Sequence, residues 1–297
     1  MITFERKTNT IISSMDLKSF KYKIAYWIMY SIMLVIAIIC IVPSIWAFVS
    51  GFKEPHEIYA IPNNFFPETF SFDNVVVAWK ALDFLPNIFA TFIVGIGDVF
   101  FVILTAGFGG YVLSKIKPRG WRFIFTLIVW TMMMPGQMRM VPMYKSFIEF
   151  PIGGMNLLNT YWPLWLIAMA QPYKVLLFKT NFDAIPSEYI EAAKIDGCSE
   201  IGIFLKIMVP LSVPVVTYVT VTSLNSVWSD FFWPMLTLSE QSLQTVPVRI
   251  FALQSSTNIT ISQYMMALTF ASLPPIILFA LFQKQLMQGV AVGGVKG

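Results

Sequence analysis

Charge is what this chain lacks most. Of its 297 residues only 12% are Asp, Glu, Lys or Arg, while 57% are hydrophobic. An ordinary soluble domain carries about 25% charged residues. A chain this poor in charge cannot clothe a water-facing surface, which excludes a soluble globular domain. Histidine is nearly absent too. The single His56 has no cysteine or carboxylate partner at ligand spacing, which argues against a zinc site and leaves no His-based acid–base pair. Of the two cysteines, Cys40 lies inside an apolar run and Cys198 in a polar loop. So placed they cannot pair, and no disulfide framework is expected. No G-x-x-x-x-G-K-[ST] phosphate loop occurs, so any work driven by ATP must be borrowed. Internal repeats and low-complexity tracts are missing as well. The first apolar run exceeds the roughly 7–15 residues of a signal-peptide core, so no cleaved signal is expected.

What the chain has is apolar length, with a mean hydropathy of +0.69. A membrane-crossing helix needs roughly 20 apolar residues. Six segments approach this: Ile24 to Phe52, Leu85 to Leu113 (interrupted by Asp98), Phe123 to Met138, Leu157 to Tyr173, Ile207 to Val227 and Tyr264 to Phe282. The expected fold is an all-α integral membrane helical bundle of six transmembrane helices. With that count, fifteen of the twenty Lys and Arg, Lys174 among them, fall on the side of the termini. Basic loops stay inside, so both termini are expected in the cytoplasm. The net charge of +4 then reflects topology and needs no nucleic-acid partner. Residues 1–23 read as a cytoplasmic segment with a short interfacial helix, 24–283 as the transmembrane domain and 284–297 as a cytoplasmic tail. Of the outer loops, 53–83 is rich in Pro, Asn and aromatics and is expected to pack on the outer surface. The other long one spans 234–263.

The polar loop 187–207 is the most specific stretch. Pro186-Ser187 suits a helix start, with Ser187 as cap and Glu188 in the first turn. Ala192 and Ala193 favour helix and leave one face without bulk. Gly197 suits the left-handed stop. A second helix is expected from Ser199 to Pro210, with Phe204 and Ile207 on one face. Glu191 and Asp196 offer negative charge to a basic partner. The plain alternative is an ordinary interhelical turn.

The spacing Glu191-Ala192-Ala193-x-x-Asp196-Gly197, followed by Phe204 and Pro210, resembles the EAA loop of permease subunits of binding-protein-dependent ABC importers. Met134-Pro135-Gly136-Gln137, Leu157-Leu158-Asn159-Thr160-Tyr161, Trp228-Ser229-Asp230-Phe231-Phe232-Trp233-Pro234 and the Gly289–Gly297 tail are similar to runs of the maltose-type carbohydrate group. Cys198 departs from that group's usual alanine. The resemblance implies a bacterial inner-membrane subunit that imports a carbohydrate, an oligosaccharide by preference, through alternating access. It implies a second, related permease, two copies of an ABC ATPase and an extracytoplasmic sugar-binding protein. ATP and Mg would sit on the partner ATPase, with no cofactor or metal on this chain. Loop 187–207 would be the coupling helix. The outer loop, at Gln254, Ser255, Ser256, Thr257 and Asn258, would enter the sugar-binding protein's cleft, and the tail would lie near the ATPase interface. A permease for glycerol phosphate or a peptide is the close alternative, and an integral-membrane enzyme a remote one.

Polar groups in apolar runs are the candidate substrate path. Asp98 is ionisable within a span, where charge is expensive. Gln137 stands beside the Pro-Gly break. Gln171 and Asn225 are isolated amides, for which interhelical hydrogen bonding is the plainer role. Trp228 could stack on a sugar ring or belong to an interfacial aromatic belt, with Asp230 beside it.

Overall fold

Unbroken apolar sequence makes long helices here; some prolines stand where a helix ends or bends, while Pro43, Pro142, Pro274 and Pro275 lie inside one. The computed structural model describes residues 20–294. The expected N-terminal segment up to residue 19, and the last three residues of the expected tail, lie outside the described residues.

Helix α1 (Phe20–Ser50) passes through Pro43 and leaves most of its side chains exposed, as a lipid-facing helix does. The 53–83 stretch then folds against its end with two short helices, α2 (Pro55–Tyr59) and α3 (Asp73–Leu82). Its centre is Lys53, which is fully buried. The ammonium lies 4.3 Å over the Trp46 ring and donates to Asn63 Oδ1 and the Asn64 carbonyl. Asn74 Nδ2 donates back to the Lys53 carbonyl at 3.0 Å.

Helix α4 (Phe84–Val102) continues through a π-helical turn at Ile103–Gly107, α5 (Phe108–Tyr111) and a second π-helical turn at Val112–Ile116. Together they form one helical run, Phe84–Ile116. After a turn come α6 (Trp121–Met133) and α7 (Gly136–Ile148), then α8 (Trp162–Met169) and α9 (Pro172–Asp183). Gly110 lets α5 and α9 touch: a Cβ there would stand 2.7 Å from Phe178 Cβ and 2.9 Å from the Lys179 nitrogen. The polar loop holds α10 (Glu188–Ile195), α11 (Glu200–Ile203), a π-helical turn at Phe204–Met208 and α12 (Val209–Leu211). Next are α13 (Val213–Ser229), α14 (Phe232–Thr237), α15 (Val246–Gln254) and α16 (Ile261–Gly294).

The expectation of six transmembrane helices is overturned. Among the described residues three helices are long and apolar enough to cross a membrane: Tyr22–Ser50, Phe84–Ile116 and Ile261–Lys284. A fourth counts only if Glu200–Leu211 and Val213–Ser229, which meet at 87°, are taken as one span. A proline stands at each break, a residue that lacks the backbone N–H and crowds the residues ahead of it. The expected third span stops at Met133, with Met134 extended ahead of Pro135. The fourth splits at Ala170 and Gln171, ahead of Pro172. The fifth bends at Ser212, ahead of Val213-Pro214. With the count goes the basis for placing both termini on one side. Lys174 is no flanking residue either: it turns inward, as described below.

Two large buried clusters hold the bundle, beside a smaller one of Val94, Leu164, Val227 and Leu238. One gathers Tyr111, Phe178, Phe182, Ile190, Ala193 and Phe204 where the 187–207 loop meets α5 and α9. The other gathers Ala78, Leu82, Phe84, Leu253, Met266 and Ala267 beneath the outer loops.

Candidate functional site: the 187–207 loop and a polar cleft

Loop 187–207 is anchored from inside. Ile190 and Ala193 are buried, and Glu191, Ala192, Asp196 and Gly197 are exposed. Gly197 adopts φ +76°, and its N–H and that of Cys198 donate to the Lys194 and Ala193 carbonyls at 3.1 and 2.9 Å. This glycine stop was readable from sequence. The cap was not: Ser187 has helical φ and ψ and no side-chain cap, while Ser199 Oγ accepts the Gly202 N–H at 3.2 Å. Phe204 is buried, its ring 5.5 Å from Phe108 and 5.9 Å from Tyr111. It therefore roots the loop in the bundle and offers no docking face. Pro210 is exposed and does not end the second helix, which runs on to Leu211. Tyr189, Ile195, Ile201 and Leu205 are the large exposed apolar groups of the loop.

Sequence reasoning missed the polar ties of this loop. Tyr111 OH donates to Glu200 Oε2 at 2.6 Å, and Lys194 Nζ meets Glu200 Oε1 at 2.7 Å. Ser114 Oγ donates to Asp183 Oδ1 at 2.7 Å, and Lys179 Nζ reaches its other oxygen at 2.7 Å. Lys115 Nζ donates to the Ile185 carbonyl. Burial pushes the Asp183 carboxyl up, but Lys179 and Ser114 outweigh it and hold the group below the usual carboxylate range. No local motif marks the Tyr111, Ser114 and Lys115 ties, whose partners stand 69 to 89 residues away, whereas Lys179 and Asp183 are a local i,i+4 pair.

Of the expected path residues, three converge. Asp98, Gln171 and Asp230 line one narrow cleft with Val94, Leu164, Ile167 and Ser226. Lys174 Nζ lies 4.0 Å from Asp98 Oδ2 and donates to Ser223 Oγ at 2.7 Å. Asp230 Oδ1 accepts the Phe232 and Trp233 N–H groups at 2.9 and 3.3 Å, capping α14. Asn225 and Trp228 line a separate cleft with Pro275 and Phe279. Trp228 is buried, donates to the Ala271 carbonyl at 3.1 Å and packs edge-on against Phe92, so it ties α13 to α16 and belongs to no interfacial belt. Gln137 stands exposed at the start of α7, away from both clefts.

The 234–263 loop is folded onto the bundle. The Val246 N–H donates to Thr91 Oγ1 at 3.0 Å, and Arg249 donates to the Ala81 carbonyl at 3.0 Å. Asn159 Oδ1 accepts the N–H groups of Ser239 and Glu240 at 2.7 and 3.1 Å. Two polar stretches of it stay exposed: residues 239–242, and the turn between α15 and α16, where Gln254, Ser255, Thr257 and Asn258 are exposed and Ser256 is half-buried. Among the described residues no group of three or more His, Cys, Asp or Glu is arranged to hold a metal.

Residues 103–292 match the family described as binding-protein-dependent transport system inner membrane component. The chain is 29% identical over 283 residues to the arabinooligosaccharides transport system permease protein AraQ of Bacillus subtilis (strain 168), covering 93% of this chain and 96% of that one. It is 29% identical over 264 residues to the probable ABC transporter permease protein YurM of the same organism, covering 86% and 83%. Its fold resembles the crystal structure of a bacterial ABC transporter involved in the import of the acidic polysaccharide alginate. There the TM-score is 0.77 at 20% identity, over 90% of this chain and 98% of that chain.

Proposed function

The chain belongs to the family of binding-protein-dependent transport system inner membrane components, and from that premise we propose that it is a maltose-type permease subunit through which an oligosaccharide enters the cell. As a family member it is a multi-pass inner-membrane permease and a non-catalytic subunit of an ABC importer. Partner ATPases and a substrate-binding protein go with that family. In the proposed assembly this chain pairs with a second, related permease and with two copies of the ATPase. The carbohydrate cargo is supported by the relative named for arabinooligosaccharide transport.

The observation that carries the coupling role is the two-sidedness of α10. Ile190 and Ala193 are buried, while Ile195 stands 86% exposed beside Glu191, Ala192 and Asp196. A bare isoleucine amid charge on an anchored, glycine-stopped loop fits a surface that another protein covers. In the proposed cycle ATP binding closes the ATPase dimer and pushes α10, and the permease pair turns from inward- to outward-facing. The cleft at Asp98, Gln171 and Asp230 would meet sugar hydroxyls, and the Gln254–Asn258 turn would meet the binding protein.

The test is co-purification of the ATPase with wild type and with Ile195→Asp, beside uptake of a panel of oligosaccharides by proteoliposomes carrying the whole complex. Loss of the ATPase from the variant and uptake of one panel member support the reading. An ATPase that stays bound to Ile195→Asp as tightly as to wild type rejects α10 as the docking element.

A further inference from the structure

Both ends of α10 are gripped by a single turn of one helix. That turn is Tyr111–Lys115, at the end of the Phe84–Ile116 run. On the side before α10, Ser114 holds Asp183 and Lys115 holds the Ile185 carbonyl. On the side after it, Tyr111 holds Glu200, and the other oxygen of Glu200 holds Lys194, which belongs to α10 itself. Apolar contacts alone would let a short helix slide over its neighbours. Hydrogen bonds to ionised groups are short and directional. A displacement of α10 therefore breaks bonds at both ends unless the 111–115 turn travels with it.

Two further features fit a moving part. The turn is largely the π-helical segment Val112–Ile116 itself, and π-helical turns concentrate where helices do functional work. The same helix carries Asp98, roughly 20 Å away along its axis at about 1.5 Å per residue, in the cleft with Gln171 and Asp230. The geometry points to Tyr111, Ser114 and Lys115 as positioning residues that carry the movement of α10 into the Phe84–Ile116 helix and on to the Asp98 cleft. The inference rests on the proposed coupling role of loop 187–207. Docking itself belongs to the exposed side of α10, which these three residues do not touch.

The experiment needs no knowledge of the cargo. In the full complex, with Cys40 and Cys198 changed to serine, spin labels are placed at Ile96→Cys on α4 and Ile277→Cys on α16, both exposed positions. The distance between them is measured without nucleotide and after trapping with ATP and vanadate. The parent should show a nucleotide-driven change. In Tyr111→Phe/Lys115→Gln that change should be lost while the ATPase still co-purifies. Tyr111→Phe keeps the ring in its buried site, so Tyr111→Phe/Ser114→Ala serves as a second, milder variant with the same expected loss. Lys115→Arg, which keeps a donor, should retain the change. A purely structural role for these groups would lower thermal stability and leave the size of the change intact. The full change in either double variant, or none in the parent, overturns the inference. An ATPase absent from the parent complex overturns the proposed docking reading instead.

Discussion

Lys174 faces Asp98 across the bundle, its ammonium 4.0 Å from Oδ2, while it donates to Ser223 Oγ at 2.7 Å. The two side chains are only 13% and 15% exposed. The pair links α9 to α4, and Ser223 brings α13 to the same point. Removing one partner of a buried ion pair leaves an uncompensated charge, at about 3 kcal/mol. Asp98→Asn and Lys174→Met should each lower the thermal stability of the purified complex. The double variant should lose less than the two singles together, by about 1–3 kcal/mol. Additive losses would show that the groups do not act on each other.

At Gly197 the cause of failure can be separated into backbone and charge. A Cβ there meets nothing within 4 Å, so a substitution is limited by φ +76° alone. Asparagine tolerates that conformation and aspartate tolerates it about as well. Gly197→Asn should therefore keep ATPase co-purification, with uptake within about threefold of wild type. Gly197→Asp places a new carboxylate beside Asp196 on the proposed docking face and should abolish uptake while membrane insertion stays normal. Equal behaviour of the two variants would remove charge from the account.

The Gln254–Asn258 turn is an exposed part of a loop largely seated on the bundle, and Leu253 just before it is buried. Alanine at Ser255, Thr257 and Asn258 leaves that anchor untouched. Assembly and basal ATPase activity should stay at the wild-type level. Uptake should fall about fivefold or more, the effect of removing contact groups from an interface. Retention of sugar by the binding protein in the vanadate-trapped complex should rise in parallel. Wild-type uptake would leave the turn as cover for the bundle.

The outer segment 53–83 should open with acid. Glu57 is buried and accepts the Glu68 N–H at 2.8 Å and the Glu54 N–H at 3.2 Å. Burial pushes its carboxyl up, but these two N–H groups, helped by His56 and Lys53, leave it below the ordinary range. A carboxyl lowered by folding stabilises the fold above its unfolded pKa, near 4.3. That contribution fades as pH falls through the lowered folded value. Protease nicking within 59–71 should thus be constant from neutral pH down to about 4, and should rise below it. Glu57→Gln should flatten the profile. A rise beginning at pH 6 would point to another group.

The parts legible in sequence were those set by neighbours in the chain. Gly197 ends α10 because a glycine after a helical run takes positive φ without strain, whatever lies around it. The three long spans follow from unbroken apolar composition. That 53–83 packs against the bundle followed from its aromatics and prolines, and the family resemblance from residues at fixed spacing.

What tertiary structure decided was every relation between distant parts. Hydropathy averages over a window, so it counted Phe123–Met138, Leu157–Tyr173 and Ile207–Val227 as spans although Pro135, Pro172 and Pro214 break or bend the helices there. Polar and aromatic side chains took partners far along the chain: Lys174 took Asp98, Tyr111 took Glu200, and Trp228 took Ala271. Phe204, read as part of a docking loop, went to the core because Phe108, Tyr111 and Phe182 enclose it. A residue's type and spacing state what it can bond to. Only the packed chain states what stands within 3 or 4 Å of it, and burial makes that partner obligatory.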